Sequence, residues 1–336
     1  MALRHLPLSL AIAVAVLLAP YGAQLIGGDS MVGTLVTMMI FAIVVVSYRL
    51  LAMTGEFSLA HVVIMGVGAY ASALAAKQLG IPLWLSIPLG GLVAALVALI
   101  LAFPLFRMKG FYFLIGSFAA GEAIRLSWIR FRDPFGGTRG ISLIPGFDLT
   151  LPGLGRLDFF DPINAYFMIT AVTAVALFLM YRIERSRIGL TLNAIHWKDL
   201  LAESVGVNLW RYRTLALVLA SFFAGIAGAL FAHNLSTINP RIFSIHAMLL
   251  VLVWVIVGGT RTFWGPIIGL IALTVVDQVL RLYIDLPPEW RPAIFGIILI
   301  LAVMFLPQGL ESLPGKIRGW LGSRRPPPGM DVRTAE

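Results

Sequence analysis

The sequence predicts an all-α, polytopic membrane protein of about ten transmembrane helices. Three observations carry this reading. Of 336 residues, 59% are hydrophobic and only 12% charged, with a mean hydropathy of +0.93, well above the apolar share of roughly 45–50% in soluble domains. The apolar residues fall in runs of about 20, the length at which a helix crosses a hydrocarbon core. When the runs are counted alternately across a bilayer, the basic residues collect on one side.

The spans follow in order. Residues 6–26 come after a short charged start, as a secretory leader would, but the run is long and no A-x-A site follows, so it is read as a span. Residues 31–52 and 57–77 come next, the latter rich in glycine (Gly66, Gly68) and carrying His61. Residues 83–106 and 111–129 complete the first half. A Gly- and Pro-rich loop, 130–162, leads to 163–182. The longest connection on the opposite side, 183–213, precedes spans 214–233, 243–260, 264–283 and 292–308. The third span, and the eighth with its terminal Gly258-Gly259, are open to being broken or re-entrant. Residues 1–321 read as a single transmembrane domain, and 322–336, with Arg324-Arg325-Pro326-Pro327-Pro328, as a disordered tail. Five spans on either side of the midpoint allow two inverted halves, a 5+5 layout, although no residue-level repeat accompanies it.

Orientation comes from charge. With the N-terminus inside, sixteen of the 25 basic residues and seven of the 16 acids fall on the inner side, so the whole net charge of +9 lies there. Both termini and the 183–213 connection are then cytoplasmic, and 130–162 faces out. The basic excess needs no nucleic-acid partner; its partner is the lipid bilayer. With no Cys there is no disulfide and no thiolate ligand. The five His are scattered without an H-E-x-x-H pattern, so no metal site, no cofactor and no catalytic residue is expected, and a membrane enzyme ranks last. The nearest approach to a phosphate loop, Gly309 to Ile317, has one residue too many between its glycines and Ile317 where Ser or Thr must bind magnesium.

Within 194–206, apolar residues at 194, 197, 201 and 205, with 198 and 202 beside them, make a rough helical stripe flanked by Lys198, Asp199 and Glu203. Gly206 suits a helix C-terminus. A short helix parallel to the inner face follows, either resting on lipid headgroups or docking a cytoplasmic partner. Inside the spans, Glu122 and Arg125 stand three apart, and Asp277 and Arg281 four apart, so each acid shares a helix face with a base. These pairs either line a solute pathway or fix packing while the arginines snorkel outward. Ser58 and His61 either line the pathway or cap a helix near the inner face.

The order of short motifs is similar to one family. Gly55-Glu56-Phe57-Ser58-Leu59-Ala60-His61, Gly66-Val67-Gly68-Ala69-Tyr70, Phe106-Arg107-Met108-Lys109-Gly110-Phe111-Tyr112 and Gly121-Glu122 lead into Phe135-Gly136-Gly137-Thr138-Arg139-Gly140. The 194–213 segment, Ala224-Gly225-Ile226-Ala227-Gly228, Gly258-Gly259-Thr260-Arg261-Thr262-Phe263-Trp264-Gly265-Pro266 and Phe305-Leu306-Pro307-Gln308-Gly309-Leu310 complete the series. Over residues 35–312 it resembles the M-type permease of branched-chain amino acid ABC importers. The resemblance implies an inner-membrane subunit of a bacterial ATP-driven importer. Its expected partners are a second permease subunit in a heterodimer, two cytoplasmic ATP-binding subunits and a periplasmic substrate-binding protein. It implies that 194–206 holds the coupling helix, with Trp197, Lys198, Asp199, Ala202, Glu203 and Gly206 at the ATPase, and that Gly136, Gly137 and Thr138 lie in the periplasmic loop. Where family members often carry an Arg-Glu-Asn-Glu-like run, this chain has His196-Trp197-Lys198-Asp199. Branched-chain amino acids, urea and short amides are the solutes the resemblance covers. An ion-coupled secondary transporter is the alternative; it suits ten spans and Asp277 but leaves 194–206 without a role.

Overall fold

The computed structural model describes residues 6–312 apart from 147, 152–154, 159–160, 284–289 and 306–308. The predicted tail at 322–336 and the end of the tenth span lie outside those residues. The first two predicted spans form one helical run, α1 (Leu6–Ala52), interrupted at Gly27 and Gly28. Gly28 lies at φ 63°, ψ −156°, a conformation a side chain excludes, so α1 works as two limbs. They meet α5 (Pro162–Glu184), where the Tyr166 hydroxyl donates to the Val16 carbonyl at 2.9 Å and Thr173 to that of Met39 at 3.2 Å.

The centre of the bundle is α2 (His61–Leu79), α3 (Leu83–Leu105) and α8 (Leu209–Leu235). Small residues let these backbones touch. A Cβ on Gly68 would lie 2.3 Å from the Gly225 Cα, so neither position tolerates a side chain. The predicted third span is thus a continuous helix from His61, preceded by non-helical residues 53–60. α4 (Phe111–Arg130) lies at the margin with Phe111, Tyr112, Ile115 and Phe118 exposed.

Five helical stretches among the described residues are long and apolar enough to cross a membrane: Gly27–Ala52, His61–Leu79, Leu83–Leu105, Pro162–Glu184 and Leu209–Leu235. The other apolar helices are shorter or more polar. α9 (Ile245–Gly258) has 14 residues, about 21 Å at 1.5 Å per residue against a core of about 30 Å. α10 (Gly265–Tyr283) carries Asp277 and Arg281, and α11 (Arg291–Phe305) has 15 residues. Between α5 and α8 lie α6 (Arg187–Trp197) and α7 (Asp199–Ser204).

Among the described residues the fold is all-α apart from four short strands that the sequence reading did not include. In the 130–162 excursion, β1 (Ile141–Ser142) pairs antiparallel with β4 (Thr237–Ile238), and β2 (Asp148–Leu151) pairs with β3 (Gly155–Asp158). The β1–β4 pairing joins the excursion to the far end of α8, and the Lys77 ammonium donates to the Ser142 carbonyl there at 2.6 Å. Arg49, Glu56, Glu184, Asp199, Arg213 and Arg261 gather at the opposite end. This division agrees with the alternation assumed in the charge count.

Candidate functional site

The 194–206 segment does not form one continuous helix. Ser186 starts α6 by accepting from the Ile188 N–H at 3.2 Å, and α6 buries Leu192 and Ile195 beneath it. The chain then becomes extended at Lys198 (φ −156°, ψ 98°) before α7 begins at Asp199. Ala202 faces inward. The Gly206 N–H reaches the Glu203 carbonyl at 2.9 Å and the Val207 N–H that of Ala202 at 3.1 Å, with Gly206 at φ 87°, the left-handed termination expected of a glycine. Because the helix breaks, the apolar stripe differs from the predicted one: Leu192, Ile195 and Ala202 are buried, whereas Trp197, Leu200, Leu201 and Val205 project outward, with Glu203 exposed beside them.

Asp199 is paired from outside its own helix. Arg213, near the start of α8, donates to Asp199 Oδ2 at 2.7 Å, and the same Nη2 lies 3.5 Å from Glu56 Oε1. Glu56 and Arg213 are buried. Burial pushes the Glu56 carboxyl above the usual carboxylate range; Arg213 opposes this, Asp199 adds to it, and the Gly110 N–H and Lys109 oppose it. These groups edge a cleft of about 480 Å³, together with Thr54, Gly55, His196, Lys198 and Leu200.

Two further clamps hold this end together. Arg49 donates to both Glu184 oxygens, at 2.5 and 2.9 Å, and to the carbonyls of Thr260 and Arg261 at 2.8 and 3.1 Å. One buried guanidinium thus joins the ends of α1 and α5 to the connection after α9. Glu311 accepts the Arg261 and Thr262 N–H groups, both at 2.9 Å, and the Thr262 hydroxyl at 2.5 Å, and so holds the α9–α10 connection.

The remaining predicted residues lie elsewhere. Ser58 is buried and accepts from the Ala60 N–H at 3.2 Å. His61 opens α2 with Nε2 3.0 Å from the Ser47 hydroxyl and its ring edge-on to Tyr48. Glu122 and Arg125 pair through two hydrogen bonds on α4. Asp277 is half-buried on α10, with Arg281 one turn further along. Gly136 (φ 79°) and Gly137 (φ 63°) shape a 3-10 turn that exposes Thr138. Glu56, Arg213, Arg49, Glu184 and Glu311 were read from the sequence only as charges on the inner side, or within a motif. Their proximity to helix ends was the one available signal.

The profile of the family described as branched-chain amino acid transport system / permease component matches residues 30–303. Relatives include the high-affinity branched-chain amino acid transport system permease protein LivM of Salmonella typhimurium and that of Escherichia coli. Each is 29% identical over 264 residues, covering 73% of this chain and 61% of the relative. The chain thus spans about three fifths of the length of these two relatives. The guanosine ABC transporter permease protein NupQ of Bacillus subtilis is 24% identical over 179 residues, 51% of this chain and 53% of that protein.

Proposed function

From the premise that the chain belongs to the branched-chain amino acid transport permease family, we propose that it is the membrane-spanning subunit of an ATP-driven importer whose ATPase docks on α7. One observation carries this. A short helix, fastened from behind by Ala202 and the Asp199–Arg213 pair, turns Leu200 and Leu201 outward beside Glu203, with Trp197 at the end of α6 and Val205 just past α7 exposed on either side of it. Large apolar side chains exposed together on an anchored element mark a protein interface. They lie at the end to which the basic excess assigns the cytoplasm.

In this reading the chain hydrolyses nothing itself. ATP-binding subunits close, carry the docked helices with them and switch the bundle between inward and outward access, while the 130–162 excursion meets a solute-loaded binding protein on the other side. A second permease subunit completes the pathway in a bacterial inner membrane, with both termini cytoplasmic. The solute is a branched-chain amino acid or a related small polar compound such as urea or a short amide. One relative is named for guanosine, so the same scaffold serves chemically different cargo, and the binding protein supplies the choice. An ion-coupled secondary transporter would leave the outward face of α7 without a role.

The test is Glu203→Arg, alone and with Leu201→Asp, in the chain co-expressed with candidate ATP-binding subunits. Loss of ATPase co-purification, with the permease still in the membrane, is expected. A double variant that assembles and hydrolyses ATP like the parent refutes the docking assignment.

A further inference from the structure

Arg213 stands between two carboxylates on different elements but fully satisfies only one. Its Nη2 is 2.7 Å from Asp199 on α7 and 3.5 Å from Glu56 in the α1–α2 connection; a charge-assisted pair closes to about 2.7–2.9 Å. The unused capacity lies on the Glu56 side. Arg213 Nε and Glu56 Oε2 are both buried without a hydrogen-bond partner. A guanidinium swung toward Glu56 would use these two atoms, together with Nη2 and Oε1, to form the two-bond fork that Arg makes with carboxylates.

The two carboxylates also differ in how easily they let go. The Asp199 side chain is 35% exposed and can take water in place of Arg213, whereas that of Glu56 is 5% exposed and cannot. The adjoining cleft supplies the room to move.

The geometry points to an ion-pair exchange in which Arg213 passes from Asp199 to Glu56 as α7 is displaced, making Arg213 and Glu56 positioning residues of the transport cycle. This rests on α7 being the docking element. Displacing α7 opens the water-accessible pair, Arg213 closes on Glu56, and the connection ahead of α2 is drawn to the base of α8. Because α2 and α8 are in backbone contact at Gly68 and Gly225, the pull reaches them as one unit and tilts their far ends. A burial-only role for Glu56 does not explain the two orphaned atoms.

The chain has no Cys, so label pairs can be placed at will in the full complex with its ATPase. A pair at positions 109 and 204 reports α7, and a pair at 79 and 235 reports the far ends of α2 and α8. In the parent, Mg-ATP should shift both distances. In Glu56→Gln the first pair should still shift and the second should not. In Asp199→Asn the first distance should be displaced before ATP is added, with basal ATP hydrolysis raised by roughly tenfold or more, the low end of the factor that one charge-assisted bond represents. A Glu56→Gln complex whose far-end pair shifts as in the parent overturns the exchange. If that variant fails to assemble, Asp199→Asn decides alone, and parental distances and hydrolysis there overturn it. A parent complex that assembles but whose first pair ignores Mg-ATP refutes the exchange too; the docking reading falls separately, through normal assembly of the Glu203→Arg, Leu201→Asp variant.

Discussion

Replacing Arg49 by alanine removes the donor from five hydrogen bonds at once: two to Glu184, one each to the Thr260 and Arg261 carbonyls and a weak one to Met53 Sδ. Bonds to a charged group are each worth about 1.5–3 kcal/mol, but the sum overstates the loss because the partners relax unequally. The Glu184 side chain is 18% exposed and can hydrate in part, whereas that of Arg49 is 2% exposed. Breaking a buried pair by removing one member costs about 3–5 kcal/mol, which is the expected loss for Arg49→Ala. At about 2 °C per kcal/mol for a chain of this size, Tm should fall by about 6–10 °C, read from thermal unfolding of the purified chain in detergent. Arg49→Lys should recover little, since a point charge cannot span a carboxylate and two carbonyls. Glu184→Gln should cost less, because the amide oxygen still accepts. The double variant Arg49→Met with Glu184→Met should regain part of the loss, leaving the two carbonyls unpaired. An Arg49→Ala chain that melts within a degree of the parent refutes the clamp.

Gly228→Ala would set a Cβ 1.9 Å from the Met65 carbonyl and should destabilise by about 1–3 kcal/mol or more through overpacking. Gly22→Ala, which meets nothing within 4 Å, should be neutral or stabilising on the same melt. Glu122→Gln breaks a partly exposed pair on α4 and should cost under about 1 kcal/mol; a selective loss of uptake per molecule would move this residue from packing to the pathway. Glu56 is flanked by Arg213, Asp199, Lys109 and the Gly110 N–H, with His196 and Lys198 across the cleft. Its carboxyl is raised, so its contribution to stability is present below the ordinary carboxylate range and is lost as pH rises through the folded value. The stability of Glu56→Gln relative to the parent should therefore grow with pH over that interval, and a constant difference in paired melts would contradict it.

The helices were legible because bilayer-length apolar runs admit little else, and the break at Gly27 and Gly28 shows in the sequence as the gap between 26 and 31. The break at Lys198 was not legible. No Gly or Pro marks it, and it comes with Asp199 being held by Arg213 from another helix. The clamps escaped for the same reason: Arg49 and Glu184 are 135 residues apart, and a sequence displays the sign of each charge but not which distant partner it meets. The strand pairs lay hidden in a loop whose Gly and Pro content masks alternation, one of them joining Ile141 to Ile238. Trp197 and Ala202 were read onto one short helix, but the break at Lys198 leaves them on α6 and α7, and the side each faces follows from that break.

Glu311 sets an order of events during synthesis. The amides it accepts, those of Arg261 and Thr262, are translated some fifty residues ahead of it. At about 5–20 residues per second, the connection between α9 and α10 leaves the ribosome and waits roughly 3–10 s for the carboxylate that holds it. Until then those amides have no carboxylate to meet, and the connection is held from one side only, by Arg49 at the Thr260 and Arg261 carbonyls. The Glu311 latch can close only after residue 311 has been made, so the α9–α10 connection of a nascent chain stays half-fastened until translation has passed that point.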